Sequence, residues 1–236
     1  MEITIIHGQG HYGSTYHISK LMREQLGGKD ATVREYFLPK DGPGFCVGCF
    51  NCITKDEKLC PQADKTQEIV ESMISSDVII IDSPTYCMEM TGQLKTLFDH
   101  LGYMWLAHRP RKEMFLKMGI AISTTAGAGA RKVTKSIARH MFWWGIPKVY
   151  RIHFSVQAMG WDGVKDKIKK RISRRVDSVA RKVKSGRTRH NFSLRFMFNM
   201  FRKMNMTPKP WNPADREYWE RNGWLGQVRP WNKESK

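Results

Sequence analysis

Glu2-Ile3-Thr4-Ile5-Ile6-His7-Gly8-Gln9-Gly10-His11-Tyr12-Gly13-Ser14-Thr15 decides the fold. Six β-rich residues run into a glycine-studded loop, and residues 14–26 follow with helical periodicity. A strand turning through glycines into a helix is the opening unit of an open α/β sheet, where ligands gather beyond the carboxyl ends of the strands. Glycines let the backbone approach an anion. A helix N-terminus and the hydroxyls of Ser14 and Thr15 can donate hydrogen bonds to a phosphate. The loop lacks the Gly-Lys-Ser/Thr of a Walker loop. A plain turn with Ser14 as helix cap is the competing reading.

Working outward, strand and helix patterns alternate at short spacing. Strands are expected at 31–38, 77–82, 116–124 and 148–156, and helices at 64–75, 91–106 and 128–144. The run Asp77-Val78-Ile79-Ile80-Ile81-Asp82 is nearly continuous in apolar residues, as a strand buried on both faces requires. A last helix at 164–183 carries Val164, Ile168, Ile172, Val176, Val179 and Val183 at steps of four or three, with Lys, Arg and Ser largely between them. Five strands each followed by a helix predict an α/β fold, a doubly wound five-stranded parallel sheet over residues 1–186. Residues 187–236 form a basic, aromatic-rich helical extension outside that unit.

Two further loops sit at strand ends. Ser83-Pro84-Thr85-Tyr86-Cys87-Met88-Glu89 sets a proline and an aromatic where a flat ring could rest. Ser123-Thr124-Thr125-Ala126-Gly127-Ala128-Gly129 offers small residues and free N–H donors. Cys87 alone reads more readily as a small buried residue than as a reactive one.

An insertion at 42–61 holds Cys46-x2-Cys49-x2-Cys52-x7-Cys60. Two consecutive x2 spacings fold three thiolates around one small centre, and Pro61 follows the fourth, as in ferredoxin-type 4Fe–4S runs. Zinc and an unmetallated loop are the alternatives; zinc more often joins two separated CxxC knuckles.

The net charge of +18 is uneven. Residues 1–108 hold 9 Lys/Arg against 14 Asp/Glu, and residues 109–236 hold 31 against 8. A solvated basic face or an anionic partner would explain the second half. No apolar run nears the ~18 residues of a membrane span, and no signal-peptide pattern opens the chain, so a cytoplasmic location is the expectation. Four cysteines within fifteen residues read as ligands or redox groups rather than as a disulfide framework.

Over roughly residues 1–160 the chain resembles the flavodoxin-like NAD(P)H-dependent FMN reductases, especially their iron–sulfur flavoprotein branch. The likeness rests on the Gly8–Thr15 loop, the Cys46–Cys60 cluster, Ser83-Pro84-Thr85-Tyr86 with Leu94-Lys95 and Phe98-Asp99, and residues 124–129. It implies that Ser14 and Thr15 bind the FMN phosphate, with Gln9, His11 and Gly13 beside them. Pro84, Thr85, Tyr86, Cys87 and Met88 would line the ring. Thr124, Thr125, Ala126, Gly127 and Gly129 would meet its edge, and Cys46, Cys49, Cys52 and Cys60 would hold the cluster. His11 stands where the family usually has arginine or another small polar residue, and His100 follows Asp99 where arginine is common. Homo-oligomers are common in the family.

The resemblance further implies hydride transfer from NAD(P)H to FMN and onward delivery to a small-molecule or redox-protein acceptor. No side chain need act as general base, and neither a Ser–His–Asp set nor a carboxylate pair is evident. An electron carrier with no substrate of its own is the alternative. For the extension, a lid over the flavin cleft, a dimer contact and a segment lying on a membrane surface all fit the composition. Nucleic acid lacks any recognition module.

Overall fold

The computed structural model describes residues 1–27, 30–186 and 191–232. Its centre is a five-stranded, all-parallel sheet in the order β2-β1-β3-β4-β5. The strands are β1 (Glu2–His7), β2 (Thr32–Phe37), β3 (Val78–Asp82), β4 (Met118–Thr125) and β5 (Lys148–Ser155). All five residues of β3 are buried. Ile79 and Ile81 face the layer made by α3 (Ala63–Ser75), α4 (Gly92–His100) and α5 (Ala130–Trp143), and Val78 and Ile80 face α1 (Ser14–Gly27) and α6 (Asp166–Lys184). Two covered faces are why residues 77–82 form a run rather than an alternation. This is the flavodoxin-like strand order, whose reversal point lies between β1 and β3.

The stripe expected on α6 is buried as a set, with Ile172, Val176, Val179 and Val183 packing on Ile120, Ile122 and Ile152. One expectation changes. The helix predicted over 91–106 ends at His100, and Gly102–Met104 forms a tight 3-10 turn. Glycine inside a helix costs about 1 kcal/mol, and the turn carries Tyr103 and Met104 into the core.

The extension has its own helices, α7 (Phe192–Asn205) and α8 (Pro213–Arg221). The boundary expected at 187 falls on residues outside those described. Leu194, Phe198, Trp219 and Trp224 form a third core against Leu106 and Phe115. Trp219 Nε1 donates to the His108 carbonyl at 2.6 Å, and the Tyr218 hydroxyl donates to that of Pro110 at 2.8 Å. The cysteine insertion contains a short α-helix, α2 (Asn51–Thr54), and a 3-10 turn at Glu57–Leu59, neither expected from the sequence.

Candidate functional site

A cavity of about 350 Å³ opens at the carboxyl ends of β1, β3 and β4. The first loop gives it Gln9, His11, Gly13, Ser14 and Thr15. The second gives Pro84, Thr85 and Tyr86, and the third gives Thr124, Thr125 and Ala126. Four residues expected at the site do not line it: Cys87, Met88, Gly127 and Gly129. Cys87 and Met88 occupy the tip of a tight turn closed by two reciprocal 2.9 Å bonds between Tyr86 and Glu89. Both take left-handed backbone, with φ of 49° and 67°, and both are exposed. Gly127 caps its own loop, its N–H bonding Thr125 Oγ1 at 3.3 Å. Gly129 takes φ 106° at the cap of α5, where a Cβ would come within 2.7 Å of Thr85 Cγ2.

The cavity has two chemical ends. At one, the N-terminus of α1 presents Ser14 and Thr15, both buried, and Thr15 Oγ1 lies 2.5 Å from Thr124 Oγ1. At the other, Pro84, Ala126, Val156, Ala158 and Met159 make a mostly apolar wall. The Tyr86 hydroxyl accepts a bond from Gln9 Nε2 at 2.9 Å and lies 3.2 Å from His11 Nε2, linking the first and second loops. Hydroxyls and a helix N-terminus beside a mostly apolar wall suit a ligand with an anionic tail and an apolar ring, and FMN fits that description.

Beneath the first loop lies a buried charge relay that sequence reasoning missed. His7 Nδ1 is 2.6 Å from Asp82 Oδ2, and Ser19 Oγ donates to the same oxygen at 2.5 Å. Glu35 stands 3.7 Å from His7 Nε2 and 3.1 Å from Arg23. Burial alone would lower the His7 imidazole; the Asp82 carboxylate and then Glu35 raise it to about 9. His7 therefore carries positive charge at neutral pH. Its buried Nε2 makes no hydrogen bond. His7, Tyr16 and Asp82 all line the cavity. The available signal was that His7 and Asp82 are polar residues ending two apolar strands, in register with each other. Val156, Ala158 and Met159 follow β5, a strand end not singled out from the sequence.

The cysteine loop is a separate region, and none of its thiols lines the cavity. Cys46, Cys49, Cys52 and Cys60 are all free thiols. Burial, with the nearby Cys60, Cys46 and Cys49, pushes the Cys52 thiol up to about 11, a cost that a bound cation would relieve. The donor type suits an iron–sulfur cluster, but among the described residues no three ligating side chains converge into a metal-holding group.

The loop is held from outside. Arg109, 5% exposed, donates to the carbonyls of Cys52 and, at 2.9 Å, Ile53. It also pairs with Glu57 at 3.3 Å and with Asp215, of α8, at 3.1 Å. Asn212, the cap of α8, donates a second bond to the Ile53 carbonyl at 2.7 Å. His100 ends α4, and its Nε2 donates to the Gly44 carbonyl at 2.8 Å. That leaves Nδ1, 3.5 Å from Cys60 Sγ, to accept a hydrogen bond from the thiol.

The sequence model of the family described as NADPH-dependent FMN reductase matches residues 1–159. An iron-sulfur flavoprotein of Archaeoglobus fulgidus is 29% identical over 147 residues, covering 61% of this chain and 64% of that protein. One of Methanocaldococcus jannaschii is 33% identical over 123 residues, covering 52% of this chain and 61% of that protein. The chain thus spans less than two thirds of the length of these curated relatives. Among solved structures, a flavone reductase superposes with a TM-score of 0.59 at 15% identity, covering 80% of this chain and 66% of that one. An FMN-dependent NADH-azoreductase of Bacillus anthracis, in complex with FMN, gives 0.57 at 13%, covering 78% and 99%. At such identities the structural likeness establishes the fold alone.

Proposed function

Since the chain belongs to the NADPH-dependent FMN reductase family, we propose that it is an FMN-dependent oxidoreductase, taking reducing equivalents from NADH or NADPH and passing them to a small-molecule or redox-protein acceptor. The observation that carries this reading is the two-ended cavity at the carboxyl edge of β1, β3 and β4. Bound FMN supplies the chemistry of accepting a hydride and releasing electrons; the protein supplies position and electrostatics. Ser14, Thr15 and the N-terminus of α1 hold the phosphate, with Gln9, His11 and Gly13 around it. Asp82 fixes the orientation of the His7 imidazolium under the first loop. Pro84, Thr85 and Tyr86 face the ring, while Thr124, Thr125 and Ala126 meet its edge. No proton-transferring side chain is assigned.

The four cysteines are proposed as ligands of a 4Fe–4S cluster, a reading supported by the printed name of two relatives, iron-sulfur flavoprotein. No step of the present reading runs through it. A homo-oligomer in the cytoplasm completes the proposal, and the five free thiols accord with a reducing compartment.

Anaerobically purified protein should quench added FMN fluorescence at a stoichiometry of about one per chain and then oxidise NADH or NADPH with a quinone, nitro or azo acceptor. Absent flavin binding overturns the reading. Flavin binding without nicotinamide oxidation reassigns the chain as an electron carrier.

A further inference from the structure

Helix α7 carries two apolar faces. The inner one, with Leu194 and Phe198, is buried against Trp219 and Trp224. The outer one repeats at steps of four: Phe192, Phe196, Met200 and Met204, which are 81, 60, 36 and 53% exposed. Trp211, 78% exposed, follows in the turn before α8. Single exposed apolar residues are ordinary on a protein surface. A row of two phenylalanines and two methionines along one helix marks a contact surface instead.

We propose that this face of α7 lies on an anionic phospholipid surface. Charge selects that occupant. Residues 191–211 hold four Lys/Arg and no Asp/Glu, and Lys203 and Lys209 are exposed. A second copy of a chain carrying +18 would bring like charge to like, whereas the negative surface potential of an anionic leaflet draws basic segments in. Phenylalanine and tryptophan with lysine and arginine is the composition of a helix lying in the interfacial plane. No described helix is long and apolar enough to cross a membrane, so the contact is with one face only. The position is compatible with activity. Asn191, the cap of α7, bonds the Pro147 carbonyl just before β5, at the amino edge of the sheet. The cavity opens at the carboxyl edge, and no residue of 191–232 lines it. Docking through α7 therefore leaves the cavity mouth open.

The test is flotation of the full-length protein with vesicles of phosphatidylcholine, alone or mixed with phosphatidylglycerol, at low and high salt. Binding is expected only to the mixed vesicles. It should weaken about tenfold or more in Phe192→Ser/Phe196→Ser/Met200→Ser, whose altered residues lie outside the buried core, with the circular dichroism and urea midpoint of the parent. Three results overturn the proposal. One is no binding to mixed vesicles at low salt. Another is binding that the triple variant leaves unchanged, which would be adsorption through charge alone. The third is a dimer in size exclusion, without vesicle binding, that the triple variant renders monomeric, which would make the stripe a self-interface.

Discussion

The cavity and the cysteine loop are both built from loops at the carboxyl edge of one sheet, yet by opposite means. The cavity walls are continuations of the β ladder. Gly8 N–H bonds the Asp82 carbonyl at 2.8 Å, Ser83 N–H that of Ile122 at 3.1 Å, and Thr85 N–H that of Thr124 at 2.9 Å. The cysteine loop leaves the edge strand β2 with no such support. Its carbonyls are gripped by the side chains of Arg109, Asn212 and His100. One site takes its geometry from backbone pairing, and the other takes it from charges and amides brought from distant sequence. Disturbing a distant side chain should therefore unsettle the second site and spare the first.

The sharpest way to break this contrast is Arg109→Met. Removing the guanidinium leaves buried Asp215 with His108 alone, strips the Cys52 carbonyl of its side-chain donor and leaves the Ile53 carbonyl only Asn212. The expected loss is about 3–5 kcal/mol in urea unfolding, with faster reaction of Cys52 and Cys60 with a thiol reagent. FMN affinity of the folded fraction should change little; a parallel loss of FMN binding would show that the two sites are one structural unit.

Next in size is the relay under the cavity. His7 is raised from 6.5 to about 9 in the folded protein. Its stabilisation is therefore fully present below about pH 6.5 and disappears as pH rises through about 9, for a total on the order of 3 kcal/mol. The urea midpoint should fall over that window, and His7→Gln should flatten the fall. An unchanged slope in the variant would remove His7 from the account.

Thr15→Ala addresses the cavity alone. Losing one buried hydroxyl donor to a phosphate should weaken FMN binding roughly tenfold, about 1.4 kcal/mol, by fluorescence titration, with thiol reactivity unmoved. The smallest effect expected is from Asn212→Ala, which removes the α8 cap and one bond to Ile53. About 1 kcal/mol of stability should be lost, with a thiol rate between those of the parent and Arg109→Met.

What the sequence made legible follows the same division. Strands and helices were readable because their periodicities are local, and the three cavity loops because strand ends announce themselves by glycine, proline and small residues. Eleven of the fifteen residues expected at the cofactor line the cavity. Cys87 and Met88 do not, because a tight turn with two left-handed residues sets them at its tip. The cysteine spacing was plain, but its supports were not. Asp215 lies 106 residues beyond Arg109, and Asn212 lies 159 beyond Ile53. No local pattern distinguishes a buried arginine from the many exposed ones of a basic chain. His7 was hidden for a different reason, since a histidine ending a strand declares its charge only when Asp82 and Glu35 are seen to surround it.

That 159-residue span also sets an order of events during synthesis. The four cysteines leave the ribosome early, when neither Arg109 nor Asn212 yet exists, and the clasp on Ile53 is completed only with α8. Until then the thiols belong to an unfastened stretch of nascent chain, open to whatever metal carrier or oxidant reaches them first. Helix α8 thus ends the unfastened period for the partly buried Cys52 and Cys60, while Cys46 and Cys49 stay exposed in the finished loop.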